Sequence, residues 1–119
     1  ARVAEDPLFT RKGDNVYCEL PLTLVEALLG ARVTLQALDG ALDLVVPPGT
    51  QSGQVFRLRG KGMPRLSSGG RGDLYVTARV EIPRHLDPRA QELVRELGRF
   101  LTAAPRGGGR RASVEEVRP

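Results

Sequence analysis

The feature of this sequence that most restricts its fold is a period-two alternation of apolar and polar side chains. The alternation is clearest in the segments 16–22, 31–38 and 74–82. Successive side chains of a β-strand point to opposite faces, so this pattern is typical of strands with one buried face. Turn residues separate the segments, and the pattern therefore predicts a β-rich domain built from short strands.

Two shorter strands complete the predicted sheets. Asp39-Gly40 is a strong hairpin signal, and it predicts that a strand at 41–46 lies antiparallel to the strand at 31–38. A further strand covers 54–59, with Phe56 and Leu58 pointing inward. The segment 60–72 has five glycines among its thirteen residues, and we expect it to be a long mobile loop.

A short helix is predicted directly after the strand at 16–22. The Thr23 hydroxyl and the Glu26 carboxylate have the spacing of a capping box, in which each side chain binds a backbone amide of the first helical turn. Gly30 can adopt the positive φ that ends such a helix. Because two turns of helix are unstable alone, this element depends on packing against the sheets.

A second, amphipathic helix is predicted at 88–101. Asp87 is a suitable N-cap, and Pro88 suits the first helical position. Apolar side chains recur at helical spacing and form a stripe that requires a partner surface. The stripe contains Ala90, Leu93, Val94, Leu97, Phe100 and Leu101.

Together these elements predict an all-β domain with minor α: an antiparallel β-sandwich with one short helix after the first strand and a C-terminal amphipathic helix. The chain of 119 residues and 12.9 kDa is long enough for one domain, which we assign to 1–101. The segment 102–119 contains no Leu, Ile or aromatic residue, and we expect a disordered Gly/Arg tail. Since the first residue is Ala, we expect a piece of a longer protein.

The reactive residue types are too few and too scattered to predict an enzyme. One cysteine and one histidine can form neither an internal disulfide nor a closed zinc site, so we expect no metal and no cofactor in this chain. His85 has no nucleophile near it in sequence, and Cys18 falls on the inward face of its strand. No segment is typical of a membrane span or a signal peptide, and we expect a cytoplasmic location.

A basic segment leaves nucleic-acid binding open as the alternative function. The net charge is +4, and the residues from Arg57 to Arg71 include five cations without an acidic residue before Asp73. Phe56 is the one aromatic side chain among them, whereas single-strand sites generally stack bases on several aromatic rings. A solvated basic face is the favoured interpretation, followed by a site for nucleic acid or for an acidic protein segment. The five cations are Arg57, Arg59, Lys61, Arg65 and Arg71.

The function that remains needs no reactive side chains. An exposed sheet edge beside an apolar surface can accept an extended peptide as an additional strand, held by backbone hydrogen bonds and apolar contacts. We expect such binding along the first two predicted strands, with Leu20, Val33 and Leu35 as its apolar floor. Unfolded polypeptide would be the ligand.

Several motifs of the chain occur in the order found in DnaJ-type co-chaperones. The segments are 6–17 (DPLFTRKGDNVY), 28–30 (LLG), 38–40 (LDG), 47–53 (PPGTQSG), 57–64 (RLRGKGMP) and 71–76 (RGDLYV). The chain from about residue 2 to residue 101 resembles the second C-terminal substrate-binding domain of that family.

This resemblance implies a β-sandwich that binds non-native polypeptide, within a protein that delivers clients to a DnaK-type ATPase and stimulates it. It also implies a homodimer formed through the C-terminal end. The chain lacks the His-Pro-Asp tripeptide of a J domain and a cysteine-rich zinc module. It also lacks the further apolar helix of some relatives. The matching dimerisation residues are Leu93, Val94, Leu97, Phe100 and Leu101.

Overall fold

The computed structural model describes residues 2–3, 9–37, 40–65, 69–101 and 114–117. The chain divides into two compact units, one of Ala1–Glu81 with Ala112–Pro119 and one of Ile82–Arg111.

The described residues of the first unit form two β-sheets and one short helix. A three-stranded sheet has the order β1-β4-β5, and a five-stranded sheet has the order β2-β3-β7-β6-β8. The elements are β1 (Arg2–Val3), β2 (Thr10–Lys12), β3 (Asn15–Thr23), α1 (Leu24–Leu29), β4 (Ala31–Ala37), β5 (Gly40–Val46), β6 (Val55–Leu58), β7 (Leu74–Glu81) and β8 (Val114–Val117).

The two sheets enclose one apolar core. Alternate residues of each main strand are buried, as the period-two pattern predicts, and the buried side chains of both sheets form a continuous cluster. Phe56 is the largest of them and has no exposed surface. Burying one such side chain stabilises the fold by about 1.5–3 kcal/mol. The predicted β-sandwich with minor helix content is confirmed.

The sheets are mixed rather than purely antiparallel. The pairs β2·β3, β4·β5 and β6·β7 are antiparallel, whereas β3·β7, β1·β4 and β6·β8 are parallel. The longest ladder joins β3 to β7 from Val16↔Leu74 to Thr23↔Glu81. A tight turn dictates an antiparallel direction only for the two strands that it connects, and no such turn connects β3 to β7.

The predicted hairpin between β4 and β5 is present. Its register runs from Ala31↔Val46 to Ala37↔Gly40, while Leu38 and Asp39 lie outside the described residues. At the other end of the first unit, β7 stops at Glu81. The predicted strand at 74–82 thus ends one residue early, and the side chain of Ile82, which follows it, is 67% exposed.

The short helix α1 has both hydrogen bonds of the capping box. The Thr23 Oγ1 accepts from the Glu26 amide at 3.1 Å, and the Glu26 Oε1 accepts from the Thr23 amide at 2.9 Å. Gly30 ends the helix with a φ of 82°. A Cβ at Gly30 would lie 2.9 Å from the Val46 carbonyl oxygen, so the end of α1 lies directly against the end of β5.

The described parts of the loop 60–72 form a hydrogen-bonded hairpin rather than the mobile loop predicted. Pro64 bridges Arg71, and the Met63 amide donates to the Asp14 carbonyl at 2.8 Å. The backbone approaches so closely that a Cβ at Gly62 would lie 2.6 Å from the same Asp14 oxygen. Glycine is needed here for its lack of a side chain, a reason that composition alone does not reveal.

The C-terminal segment also differs from its prediction in part. Val114–Val117 forms the strand β8, which pairs in parallel with β6. The two valines favour an extended backbone, and an unpaired side of β6 offers hydrogen bonds to it. The rest of 102–119 lies outside the described residues.

The second unit contains the helix α2 (Pro88–Gly98). Its N-cap is Asp87, whose carboxylate accepts from the Ala90 amide at 2.8 Å, and Pro88 takes the first helical position. Within this unit, no residue of α2 is buried, and its apolar stripe is exposed. Among the described residues, no helix has the length and apolar character required to cross a membrane.

Candidate functional site

The three residues predicted to form an apolar floor lie in the core. Leu20 and Val33 have no exposed surface, and Leu35 is 1% exposed. Leu20 belongs to the five-stranded sheet and the other two to the three-stranded sheet, so they meet between the sheets. Side chains without exposed surface cannot line a surface groove in this conformation. Their role here is to hold the sandwich together.

The most extensive open sheet edge in the first unit is that of β5. This strand has seven residues, and among the described residues β4 is its one partner strand. The backbone N–H and C=O groups on its other side therefore have no partner strand. Such an edge can accept an extended polypeptide. The second edge of β4 is shorter, because β1 covers it at Val33 and Thr34.

Exposed apolar side chains lie at one end of this edge. Val45 is 56% exposed on the outer face of β5, and Leu29 is 73% exposed in the last turn of α1. The contact between Gly30 and the Val46 carbonyl brings these two regions together. Val25 and Leu28 of α1 are also exposed. We call the strand Gly40–Val46 together with Val25, Leu28, Leu29 and Val45 the β5 edge.

Polar groups on the outer face of the three-stranded sheet are paired with each other. The Thr34 hydroxyl donates to the Asp43 carboxylate at 2.9 Å across the hairpin. Asp43 and Val45 occupy the two outward positions in the middle and at the end of β5. A bound segment would therefore meet this hydrogen-bonded polar pair and then the apolar side chain of Val45.

The outer face of the five-stranded sheet carries a row of aromatic and basic side chains. The rings of Tyr17 and Tyr75 stack with centroids 5.0 Å apart and an interplanar angle of 11°. The Lys12 Nζ lies 5.9 Å from the Tyr17 centroid, and the Arg57 guanidinium lies 6.0 Å from the Tyr75 centroid. These cation–π contacts stabilise the face.

Local contacts hold several of the predicted basic residues. The Arg57 guanidinium binds the Asp73 carboxylate through contacts of 2.7 and 2.8 Å, and this hydrogen bond raises the pKa of Arg57. The Arg65 Nε lies 3.7 Å from the Asp14 carboxylate, and the Arg71 Nε donates to the Gly62 carbonyl. These contacts hold the hairpin of 60–72 in place. They give the three arginines a structural role that requires no phosphate ligand.

Asp73 is the acidic centre of that region. Burial raises its pKa, but hydrogen bonds from the Gly60 amide and from Arg57, with the charges of Arg57 and Arg59, outweigh burial and lower the pKa below 3.8. The Asp73 amide in turn donates to the Asn15 side chain at 2.9 Å. Asp73 therefore links the starts of β3 and β7 to the end of β6.

The two candidate reactive side chains, Cys18 and His85, differ in their surroundings. Cys18 is buried in the core, and this burial raises the pKa of its thiol to about 11. His85 is exposed in the second unit, before α2. A thiol with a raised pKa is a poor nucleophile, because the thiolate is the reactive form.

The five predicted dimerisation residues are all exposed. Three of them lie on α2 and two follow its last turn. Phe100 is 85% exposed, which is the largest value among the exposed large apolar side chains. The residues are Leu93, Val94, Leu97, Phe100 and Leu101.

A two-sheet sandwich with an open strand edge can accept an extended polypeptide as an additional strand. Comparison with known protein families gives a match to the DnaJ C terminal domain over residues 1–83. The chain belongs to this family of chaperone domains.

Individual relatives agree with the family match. "Chaperone protein DnaJ" of Ruminiclostridium cellulolyticum is 50% identical over 95 residues, which cover 80% of this chain and 25% of the relative. The protein of the same name from Roseiflexus sp. is 47% identical over 108 residues, covering 91% and 29%. "Chaperone protein DnaJ 1" of Mycolicibacterium paratuberculosis is 50% identical over 97 residues, covering 79% and 26%. The chain thus spans about a quarter of the length of the curated relatives that it matches.

Proposed function

We propose that this chain is the second C-terminal substrate-binding domain of a DnaJ co-chaperone, and that it holds non-native polypeptide by adding an extended segment to the β5 edge. The observation that carries the proposal is a seven-residue strand of a chaperone-family domain, one side of which has no partner strand among the described residues. Backbone hydrogen bonds accept any sequence, which suits a protein with many unfolded clients.

Apolar contacts add the preference for unfolded chains. A folded client hides its apolar side chains, whereas an unfolded client can place them against Val45 and Leu29. Each such contact removes apolar surface from water and contributes about 1 kcal/mol, which is enough for reversible binding. Binding of this kind uses no ATP and no covalent step.

The remaining partners belong to the longer protein. We propose that the full-length protein works in the cytoplasm and passes bound clients to a DnaK-type ATPase. Two copies would associate through the uncovered apolar stripe of α2, so that two β5 edges serve one client. Two weak sites that act on one chain bind it far more tightly than either site alone.

The test is a titration of the whole chain with an unfolded, apolar-rich peptide, followed by amide chemical shifts. We expect shifts along Gly40–Val46. Val45→Asp should weaken binding about tenfold, which corresponds to about 1.4 kcal/mol. The matched control is Ile82→Asp, because Ile82 is similarly exposed but follows the end of β7.

Two results would count against the β5 edge. Equal weakening by both variants would indicate general charge repulsion rather than a site at Val45. Shifts confined to other strands would place the bound peptide elsewhere. Circular dichroism of each variant must first show an unchanged folded fraction.

A further inference from the structure

The strand β5 has the composition of a segment that pairs readily with copies of itself. Its sequence from Gly40 to Val46 is Gly-Ala-Leu-Asp-Leu-Val-Val, so four of its seven residues are Leu or Val. Asp43 is its one charged residue, and the strand contains no proline. Segments of about six or seven residues with high β-propensity and low charge associate when their strand edge is open. The edge of β5 meets this description, since β4 is its one partner strand among the described residues.

Asp43 occupies the central position of the seven residues. In a symmetric antiparallel pair of two β5 strands, full overlap places Gly40 of one copy opposite Val46 of the other and the two Asp43 side chains opposite each other. A parallel pair in register also places the two Asp43 side chains together. Both arrangements therefore bring two carboxylates together on one face, and like charges directly opposite each other destabilise a sheet.

Other registers of such a pair lose contacts. A slip of one residue places the outward side chains of one strand opposite the inward side chains of the other. A slip of two residues restores the faces and sets Asp43 opposite Ala41 or Val45, but it leaves two residues of each strand unpaired. Pairing between two β5 strands is thus either repulsive or shortened.

The contacts of Asp43 leave its negative charge without a compensating cation. The Thr34 hydroxyl, a neutral donor on β4, binds one carboxylate oxygen at 2.9 Å. In the part of the chain that the structure describes, no basic side chain lies within ion-pair distance of Asp43. The side chain is exposed on the outer face of the sheet. Its charge is therefore available to repel the same charge of a second copy.

We propose that Asp43 prevents the β5 edges of two copies from pairing with each other, and that it thereby keeps this edge open for other polypeptide segments. A segment without an acidic side chain at the matching position meets no such repulsion. Association through α2, proposed above, would raise the concentration of one edge near the other to the order of millimolar, where weak self-pairing becomes significant. The inference goes beyond the proposed function, because self-pairing of β5 is measured without any client.

The first test compares whole-chain variants that also carry Leu97→Asp, to exclude association through the α2 stripe. Asp43→Asn keeps the oxygen that accepts from Thr34 but removes the charge. We expect this variant to raise the self-association constant about fivefold, as measured by sedimentation equilibrium up to millimolar concentration. The matched control is Glu96→Gln, which removes the same charge from an exposed position of α2. The control should associate no more strongly than the Leu97→Asp parent.

A charge exchange tests the same contact with a second variant. Asp43→Lys, also combined with Leu97→Asp, places two cations opposite each other and should self-associate weakly. A mixture of this variant with the Leu97→Asp parent places opposite charges together. We expect the mixed pair to form at least about tenfold more tightly than either chain pairs with itself. With the lysine variant isotope-labelled, amide chemical shifts along Gly40–Val46 on addition of the unlabelled parent report the mixed pair.

Either of two results would overturn the inference. Equal self-association of the Asp43→Asn and Glu96→Gln chains would show that the Asp43 charge does not hold the edges apart. A mixed pair no tighter than the separate chains, or shifts confined to other strands, would show that the two β5 edges do not meet at residue 43. Both experiments omit client peptide, so their failure leaves the client-binding test at Val45 unaffected.

Discussion

At the scale of single residues, Asp73 connects more of the structure than any other charged side chain described above. Its carboxylate accepts from the Arg57 side chain and from the Gly60 amide, and its amide donates to Asn15. The side chain is 13% exposed, so these contacts are partly shielded from solvent. The carboxylate is therefore favoured in the folded state and its pKa is lowered.

The lowered pKa of Asp73 predicts a stability that depends on pH. A carboxyl group whose pKa is lower in the folded state stabilises the fold above its unfolded value of 3.8, and this stability is lost as the pH falls through the folded value. Asp73→Asn should therefore lower the urea midpoint at neutral pH, whereas the two proteins should converge in strong acid.

The measurement is urea denaturation of both proteins over a series of pH values. Asp43→Asn, at an exposed position on the outer face of β5, is the matched control. A constant difference between Asp73→Asn and wild type at every pH would show that the carboxylate charge does not carry the effect.

At the scale of elements, the sequence predicts strand faces better than strand partners. Alternation identifies which side chains share a face, and Val16, Cys18, Leu20 and Leu22 are buried as expected. Alternation does not show whether that face meets a second sheet or solvent. The pattern therefore allows Leu20, Val33 and Leu35 to line a surface, whereas the structure buries them between the sheets. Pairing between distant strands such as β3 and β7 also leaves no local signal.

The candidate site includes an apolar side chain at an outward position of the alternating strand β5. The inward positions of β5 are Leu42, Leu44 and Val46, so Val45 must point outward. An apolar residue at an outward position is the sequence signal for an exposed apolar contact on this strand. The uncovered side of β5 has no sequence signal at all, because it depends on which strands pair elsewhere. The pairing of β8 with β6 was missed for the same reason.

The helix α2 has its own prediction. Its apolar stripe is exposed among the described residues. Burial of Leu97, 41% exposed, and Phe100, 85% exposed, against a second copy would remove apolar surface from water. We expect the whole chain to dimerise and Leu97→Asp to be monomeric, as measured by sedimentation equilibrium. Gln91→Asp adds the same charge outside the stripe and should leave the dimer intact. A monomeric wild type across the micromolar to millimolar range would disprove this association.

At the scale of the whole molecule, Cys18 reports on opening of the sandwich. Burial raises its pKa from 9.0 to about 11, which lowers the thiolate fraction at neutral or mildly basic pH about 100-fold before any steric protection. We expect a disulfide reagent to label the folded chain at least about 100-fold more slowly than the chain in urea.

An exposed thiol provides the control for that labelling. In a Cys18→Ala, Gln91→Cys variant the thiol lies on α2, where no residue is buried, and it should react like a free thiol without denaturant. Fast labelling of wild-type Cys18 under native conditions would mean that the two sheets separate frequently.

The central ladder between β3 and β7 has a consequence for how the protein is made. The hydrogen bond between Asn15 and the Asp73 amide joins residues 58 apart, and translation at about 5–20 residues per second needs roughly 3–12 seconds to cross that distance. Until β7 leaves the ribosome, the apolar face of β3 in the nascent chain lacks its partner strand. A domain of a chaperone family is thus, for the first seconds of its existence, in need of the same protection that its relatives give to others.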